Sequence, residues 1–256
     1  MRLAVANQKG GVTKTTSSVA LAAAYAAGGR TVLLVDLDPQ KNATTWLTGG
    51  NPEQEWNNDA MAVLTDQAAI ADSWVQTTTP GVALIPGTRE LYAADRMLGA
   101  DPGSEQVLRA ALDGGPDYDV VIFDCPADLG VLVVSALTAA DHVLIPMRPG
   151  LLELDALEEL VQTVDKVAKR LNPKLGESAR SVMLAAFVGR QVIDRDVQTK
   201  LRTERPDYLM DTVIPASIRA VEAAAHREPL HTFHPGHSVT LAYAAAAAEL
   251  SRRSTR

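Results

Sequence analysis

The sequence predicts a doubly wound α/β domain, in which a mostly parallel sheet is flanked by helices on both faces. Short apolar runs typical of buried strands alternate with helical segments along the chain. Glycines or acidic residues follow several of these runs, where the strands end. With 256 residues, 46% of them hydrophobic, the chain can build one substantial core. We therefore expect a single domain over residues 1–256.

The elements of the first half follow from local sequence. "RLAVAN" predicts the first strand, and the alanine-rich stretch after it predicts a helix over residues 15–27. Gly28 and Gly29 end that helix, as glycines commonly do. "TVLLVD" and "VALIPG" predict further strands, and "TRELYAADRML" predicts a helix with Thr88 in the capping position. Residues 49–80 show little periodicity, and we expect short helices there.

The second half continues the alternation. "DYDVVIFDCPADLG" predicts a strand at residues 120–123 whose end delivers Asp124. "HVLIPM" and "VMLAAF" predict two more strands, and "LLELDALEELVQTVDKVAKRL" between them predicts a long amphipathic helix. A helix near residues 194–204, the segment "DTVIP" and the helix "SVTLAYAAAAAELSRR" complete the order. Such folds bind ligands at the carboxyl edge of the sheet.

The composition disfavours several classes of protein. The apolar runs are shorter than the roughly 18 to 20 residues of a membrane span. The first residues lack the pattern of a signal peptide, so we expect a cytoplasmic protein. Cys125 is the single cysteine, which excludes a disulfide within the chain, and we expect a buried, inert thiol.

The charge is unevenly distributed. The formal net charge is −7, which by itself argues against nucleic-acid binding. Residues 1–179 hold 13 basic and 23 acidic residues, whereas residues 180–256 hold 11 basic and 8 acidic ones. This split permits a basic face on an acidic protein.

The stretch "NQKGGVTKTT" has the composition of a phosphate-binding loop. Gly10 and Gly11 let the backbone approach a phosphate group, and the following helix offers unpaired N–H groups and its positive dipole end. Lys14 would neutralise the β and γ phosphates, and the Thr15 hydroxyl would bind Mg²⁺. Lys9 is an additional cation that the ordinary pattern lacks.

Three carboxylates follow strands in the order that a nucleotide hydrolase needs. Asp36 and Asp38 leave the second strand as alternate residues, and Asp124 ends a later, apolar strand. Such positions suit a magnesium site and a group that orients a nucleophilic water. Each feature alone is more often explained by a turn or a helix cap. Their combination favours ATP and Mg²⁺ as ligands.

These motifs resemble the ParA family of partition ATPases, whose deviant phosphate loop carries the extra lysine. The resemblance rests on "NQKGGVTKTT", "VLLVDLDPQKNAT" and "DYDVVIFDCPADLG". It continues through "LTAADHVLIPM" and "VIPASIRAVEAAAHREPLHTFHPGHSVTLAYAAAAAEL". The implied fold is the P-loop NTPase fold, in the small type that lacks an N-terminal helix-turn-helix.

The resemblance implies an ATP-sandwich homodimer with weak basal ATPase activity. Lys9 of one subunit would reach the phosphates bound by the other, Asp38 would orient the attacking water, and Pro215 would bind the nucleotide. The implied nucleotide-binding residues of the loop are Lys9, Gly10, Gly11, Val12, Thr13, Lys14, Thr15 and Thr16. The implied metal-binding residues are Thr15, Asp36 and Asp124.

The resemblance also implies DNA binding without sequence preference by the ATP-bound dimer. Arg219, in "PASIRAVEA", matches the DNA-contacting arginine of the family. Lys200, Arg202, Arg252 and Arg253 are looser candidates for the same face. A ParB-like, centromere-binding partner would stimulate hydrolysis, and the protein would associate with the nucleoid and not with a membrane.

The chain departs from the family pattern at two places near the phosphates. Thr13 stands where a glycine is usual, and a positive φ there would strain a β-branched residue by about 1 to 3 kcal/mol. A negative φ would cost little. Asp128 adds negative charge near the expected γ-phosphate, and we expect it to cap the next helix. The roles of Phe187 and Arg190 stay open.

Two other classes of function remain. A membrane-associated positioning ATPase of the MinD kind needs an amphipathic C-terminal helix, whereas "AYAAAAAELSRRSTR" offers little apolar depth. The other class is a metabolic or redox enzyme on the same scaffold, such as a dethiobiotin-synthetase-like ligase or an iron-sulfur reductase. The single cysteine disfavours the reductase. The cargo, whether plasmid, chromosome, phage DNA or a protein assembly, is not indicated by the sequence.

Overall fold

The structure, a computed structural model, describes residues 1–50, 56 and 58–255. Within that part of the chain a seven-stranded sheet has the order β3-β4-β2-β5-β1-β6-β7. Neighbouring strands are parallel except for β3, which pairs antiparallel with β4 at one edge. The strands are β1 (Arg2–Val5), β2 (Val32–Asp36), β3 (Val75–Gln76), β4 (Val82–Ile85), β5 (Val120–Asp124), β6 (His142–Met147) and β7 (Arg180–Leu184).

Helices cover both faces of this sheet. On one face lie α1 (Lys14–Ala27), α2 (Asn42–Leu47), α10 (Ile218–His226), α11 (Leu230–Phe233) and α12 (Ser238–Arg253). On the other lie α3 (Ala60–Leu64), α4 (Ile70–Ser73), α5 (Ala94–Leu98), α6 (Val107–Asp113), α7 (Val131–Ala139), α8 (Leu151–Arg170) and α9 (Val192–Glu204). The doubly wound α/β fold predicted from the sequence is confirmed.

The strand sequences explain the two layers. Alternate side chains of a strand point to opposite faces, and here both faces are covered. Leu33 and Val35 of β2 therefore enter one core, while Val32 and Leu34 enter the other. All four are buried, which is why "VLLV" is continuously apolar.

Three predicted elements differ in detail. "TRELYAADRML" divides into a 3-10 helix, Arg89–Ala93, and α5, and the Thr88 side chain makes no capping hydrogen bond. The strand predicted at "VMLAAF" ends at Leu184, because Ala186 has a φ of 52° and turns the chain. Short helices occur between residues 58 and 73 as expected, but Val75–Gln76 form the edge strand β3, which was not predicted. Residues 51–55 and 57 lie outside the described residues.

The topology brings the predicted site together. Four neighbouring strands, β2, β5, β1 and β6, run parallel, so their carboxyl ends meet at one edge of the sheet. Asp36 and Asp124 end β2 and β5, and their Cα positions are paired in the sheet register. The glycine-rich loop follows β1 and leads into α1.

Candidate functional site

A cavity of about 750 Å³ opens at the carboxyl edge of the central strands. Segments that follow β1, β2, β5 and β6 line it, together with parts of α10 and α12. The loop residues that line it are Gly10, Gly11, Thr13, Lys14, Thr15 and Thr16. Asp38 and Pro215 line it as well, so most of the predicted nucleotide-binding residues share one cavity.

The glycine-rich loop has room for an anion. Gly11 has a φ of 71°, a conformation that suits glycine, and a Cβ atom placed on Gly10 or Gly11 would meet nothing within 4 Å. The helix that follows carries no acidic residue in its first turn, so the positive end of its dipole is not neutralised locally. The loop geometry therefore fits the phosphate groups of a nucleotide.

Thr13 has a φ of 74° and a ψ of 20°, in the left-handed region. Of the two backbone conformations considered for Thr13 from the sequence, the structure has the strained one, with positive φ. A β-branched residue in this conformation costs about 1 to 3 kcal/mol, unless its neighbours compensate.

Asn7 anchors the beginning of the loop. Its side-chain oxygen accepts a hydrogen bond of 3.0 Å from the Lys9 backbone N–H. Its side-chain nitrogen donates one of 2.9 Å to the carbonyl of Pro146, in β6. The buried Asn7 amide thus fixes the loop to the neighbouring strand.

Lys14 is almost completely buried, and its Nζ donates a hydrogen bond of 3.0 Å to the carbonyl oxygen of Lys9. Burial lowers the pKa of Lys14, while the carboxylates of Asp124 and Asp38 act in the opposite direction. A cation that is poorly hydrated and points into the loop is suited to binding phosphate oxygens.

Asp124 combines burial with an unused oxygen. Its Oδ1 accepts a 2.7 Å hydrogen bond from Ser18 Oγ, whereas Oδ2, within the described part of the chain, has no hydrogen-bond partner. Burial, and next the nearby charge of Asp36, raise the pKa of Asp124, and the Ser18 and Thr15 hydroxyls lower it. A buried carboxylate oxygen without a donor, beside Thr15, fits a site for Mg²⁺ and its water shell.

Asp36 is held by contacts within the protein. Its Oδ2 accepts hydrogen bonds from the backbone N–H and the hydroxyl of Thr44, at 2.8 and 2.7 Å, and its Oδ1 accepts one from the Asp38 N–H. Burial raises the pKa of Asp36. These contacts favour a role in shaping the 36–44 turn, and its role as a metal ligand stays a prediction.

Asp38 is partly buried at the cavity wall, where its Oδ1 accepts a 2.9 Å hydrogen bond from the Gln40 N–H. Its other carboxylate oxygen accepts no hydrogen bond within the described part of the chain. The position therefore suits the predicted task of orienting a water molecule.

The prediction that Asp128 caps the next helix is wrong. Helix α7 begins after Gly130, and the Val131 N–H donates a 2.7 Å hydrogen bond to Asp95 Oδ1 instead. Asp128 lies two residues before the capping position, which Gly130 occupies, and it is an exposed residue of the cavity lining. Its charge remains directed to the region of the site.

Lys9 and Val12 do not line the cavity of their own chain. The Val12 side chain is buried, so its contribution to binding would come from the backbone. The Lys9 backbone is held by Asn7, but over the described residues its ammonium group has no ion pair or hydrogen bond. The Lys9 ammonium group is therefore not engaged by another side chain within the described part of the chain.

The predicted DNA-binding residues do not share one environment. Arg219 lies in the first turn of α10, where it forms a 2.6 Å ion pair with Glu222. Lys200 lies in a groove between α8 and α9, together with Asp155 and Glu158. An acidic groove does not favour contact with DNA phosphates.

The other three arginines cluster near the end of α12. Arg202 lies 4.0 Å from Asp211. Asp211 lines a surface depression together with Arg252 and Arg253. Arg253 forms a 2.9 Å ion pair with Glu249 and donates to two backbone carbonyls, those of Asp207 and Leu209. These contacts favour a structural role for Arg253.

Sequence reasoning missed Arg148 and Tyr92. Arg148 follows β6, is exposed, and is the second cation of the cavity lining after Lys14 within the described residues. Its position after "HVLIPM", at a predicted strand end, was an available signal. Tyr92 lines the cavity and accepts a hydrogen bond from the Gln40 side chain, a long-range contact without a sequence signal.

Two expectations from composition can be compared with the structure. Cys125 is buried, and burial raises the pKa of its thiol, as expected for an inert group. Over the described residues, the helices are all too short or too polar to cross a bilayer.

Comparison with known proteins identifies the family. The sequence pattern of a family described as an AAA domain matches residues 1–177. The chain is 37% identical to the chromosome partitioning protein ParA of Caulobacter vibrioides over 89% of this chain and 85% of that protein. The chain belongs to the ParA family of P-loop ATPases. Within that family it is also 37% identical to the sporulation initiation inhibitor protein Soj of Bacillus subtilis, over 91% of each chain.

A solved structure related to this ParA-family chain contains nucleotide. It is a cobyrinic acid a,c-diamide synthase from Mycobacterium smegmatis with bound ADP and magnesium. It is 33% identical and superimposes with a TM-score of 0.80, over 98% of this chain and 93% of the other. The fold of the family and a magnesium-nucleotide site therefore occur together in a relative.

Proposed function

We propose that this protein is a partition ATPase, which binds MgATP in the described cavity, dimerises around it, and then binds DNA without sequence preference. Hydrolysis, stimulated by a ParB-like partner, resets the cycle. Membership of the ParA family and the geometry of the phosphate loop support this function. A cytoplasmic, nucleoid-associated location follows from it.

The chain's own residues divide the handling of ATP. The loop N–H groups and the Lys14 ammonium bind the phosphate oxygens and offset their charge. Thr15 and Asp124 would hold the magnesium ion and its water molecules, and Asp124 has the buried, unpartnered oxygen that such a role requires. When bound, Mg²⁺ would neutralise charge on the phosphates. Asp38, at the cavity wall, orients the attacking water by accepting its hydrogen bond.

The unpaired ammonium group of Lys9 is the observation that best supports the proposed dimer. Lys14 lines the cavity of its own chain, whereas Lys9 does not and has no partner within the described residues. A second cation adjacent to a phosphate loop is costly unless an anion balances it. The phosphates held by a second subunit supply that anion, so ATP binding and dimerisation become linked.

The DNA-binding surface is proposed around α10. Arg219 is partly exposed, and among the described residues its side chain is paired only with Glu222 of the same helix, a pair of little energetic consequence at a surface. Exchange of Glu222 for a DNA phosphate would therefore cost little. Arg202 and Arg252 are exposed near the end of α12 and are separate candidates for DNA contact, whereas Arg253 and Lys200 are less suited by their surroundings.

The decisive experiment compares nucleotides and one lysine. With Mg²⁺, ATP should give a dimer in sedimentation and salt-sensitive binding to arbitrary duplex DNA, while ADP should give neither. Lys9→Ala should abolish both and leave ATP binding by the monomer within about threefold. Lys169→Ala, which removes an equally charged side chain near the far end of α8, is the matched control. Equal DNA binding with ATP and ADP would contradict the proposed cycle.

The packing of α12 argues against the MinD-like alternative. A membrane-binding helix must expose its apolar face. In α12 the side chains of Val239, Tyr243, Ala246 and Leu250 are buried, most of them against α1 and the sheet. Sedimentation with anionic liposomes should leave the protein in the supernatant with ATP and with ADP.

A ligase function is the second alternative, because the related Mycobacterium smegmatis structure is named as a cobyrinic acid a,c-diamide synthase. The two functions differ in what accelerates ATP hydrolysis. A partition ATPase responds to DNA together with its partner protein. A diamide synthase responds to cobyrinic acid and an ammonia donor, and such a response would replace the proposal.

A further inference from the structure

The phosphate loop and the last helix meet at three hydroxyl groups. The Tyr243 hydroxyl, on α12, lies 3.1 Å from Ser17 Oγ, on α1. Ser17 Oγ lies 3.4 Å from Thr13 Oγ1, so Ser17 links the Tyr243 hydroxyl to the loop residue. Ser17 and Tyr243 are buried. A side chain 226 positions along the chain from Ser17 thus reaches the loop.

Thr13 is the loop residue that needs support. Its left-handed backbone is unfavourable for a β-branched side chain, and such a residue persists only where its surroundings hold it. Its carbonyl accepts a 2.8 Å hydrogen bond from the Ser17 N–H, which fixes one side of the residue. The Thr13 hydroxyl group lies 3.4 Å from Ser17 Oγ, and Ser17 Oγ is in turn 3.1 Å from the Tyr243 hydroxyl.

Tyr243 is chemically suited to this contact. Burial raises the pKa of its hydroxyl to about 12, so the group keeps its proton at neutral pH and can donate. Tyr243 also borders the cavity, so the hydroxyl group is close to the site without replacing any of the phosphate-binding groups.

We propose that Tyr243 is a positioning residue for the phosphate loop, which it holds through Ser17 and Thr13 in the conformation that binds nucleotide. The inference rests on the proposed ATP-binding function. It makes α12 part of the nucleotide site, and it explains how this chain tolerates threonine at a left-handed loop position.

ATP titration of four proteins tests the proposal: the unchanged chain, Tyr243→Phe, Thr13→Gly, and the double variant. Tyr243→Phe keeps the ring and removes the hydroxyl. It should weaken ATP binding about threefold to tenfold, the range that loss of one hydrogen bond produces. In the Thr13→Gly background the same change should weaken binding less than about twofold, because glycine needs no support there. An undiminished loss in that background would overturn the proposal.

Tyr25→Phe is the matched control. The Tyr25 hydroxyl donates a 3.0 Å hydrogen bond to the Ala247 carbonyl, so it also joins α1 to α12 and is also buried. It has no contact with the loop among the described residues. ATP affinity should change less than about twofold in this variant. Equal losses in Tyr25→Phe and Tyr243→Phe would mean that only the packing of the two helices matters, and the positioning role would be wrong.

Amide hydrogen exchange separates this inference from the proposed function. Without nucleotide, exchange at residues 9–16 should be faster in Tyr243→Phe than in the unchanged chain or Tyr25→Phe. If the unchanged chain bound no ATP, the proposed function would fail and the exchange rates would still test the positioning role. If it bound ATP and Tyr243→Phe changed neither affinity nor exchange, the positioning role alone would fail.

Discussion

The hydroxyl of Ser18 donates a 2.7 Å hydrogen bond to Asp124 Oδ1 and so joins α1 to the end of β5. The same hydroxyl lies 3.1 Å from the Lys14 carbonyl. One side chain therefore connects the helix that carries the phosphate-binding lysine to the carboxylate of the expected magnesium site. The predictions below test this site and the residues around it.

Ser18→Ala should destabilise the protein without nucleotide by about 1 to 3 kcal/mol, because a buried carboxylate oxygen would lose its donor. Urea unfolding monitored by circular dichroism measures the change. Ser251→Ala is the control, because within the described residues that hydroxyl donates to the carbonyl one helical turn earlier, at Ala247, and contacts no carboxylate. Similar effects of the two substitutions would contradict the importance of the Ser18 contact.

Thr13→Gly should stabilise the protein by up to about 1 kcal/mol, since it removes backbone strain but adds flexibility to the unfolded chain. Thr16→Gly, in the first turn of α1, should destabilise it by a similar amount. Thermal unfolding of both variants measures the sign of the change in stability that each substitution causes. A loss of stability in both would show that Thr13 is not strained.

Arg148→Gln should weaken ATP binding about fivefold and ADP binding less, because ATP carries the additional charged phosphate and Arg148 is a cation of the cavity lining. The difference between ATP and ADP should shrink at high salt. Lys169→Gln removes the same charge near the other end of α8, roughly 30 Å away for a helix of this length. Equal effects of the two substitutions on ATP binding would rule out a local role for Arg148.

His142 should make stability depend on pH. Burial is the main cause that lowers its pKa to about 4, and its Nε2 lies 2.9 Å from Ser181 Oγ. Because the unfolded chain takes up the proton first, this contribution is fully present above about pH 6.5. It is lost as the pH falls from there towards 4, and the loss amounts to at most about 3 kcal/mol.

The measurement is the free energy of unfolding between pH 4.5 and 7.5 for the unchanged chain and for His142→Gln. The two proteins have the same carboxylates, so the difference between their free energies of unfolding reports on His142. This difference should shrink as the pH falls. His226→Gln serves as the control for loss of an exposed histidine. A constant difference across this range would contradict the shifted pKa.

The strand ends were predictable from sequence, and the contacts between distant residues were not. Asp36 and Asp124 follow apolar runs, and parallel strands necessarily bring such ends to one edge. The left-handed Thr13 could not be inferred, because the local sequence allowed either sign of φ. Asp95 replaces Asp128 at the start of α7 because it arrives from a helix 36 positions earlier than Val131, a distance over which sequence carries no capping signal.

The role of Arg253 could not be predicted from the sequence either, because its contacts also join residues that are distant along the chain. Three acceptors hold its guanidinium group, and two of them are backbone carbonyls near residue 208. A basic residue near a helix end predicts a favourable interaction with the dipole, and it is equally compatible with solvent or DNA. Only the folded arrangement distinguishes these environments.

The Asn7 amide has a mechanical consequence. It binds the Lys9 backbone with one atom and the Pro146 carbonyl with another, and Arg148 follows Pro146 by two residues. The Lys9 backbone and the end of the strand that leads to Arg148 are therefore joined through one side chain. We expect a displacement at the end of β6 to be passed to the Lys9 backbone through Asn7, so that β6 would be linked to the dimer interface if Lys9 crosses between subunits as proposed.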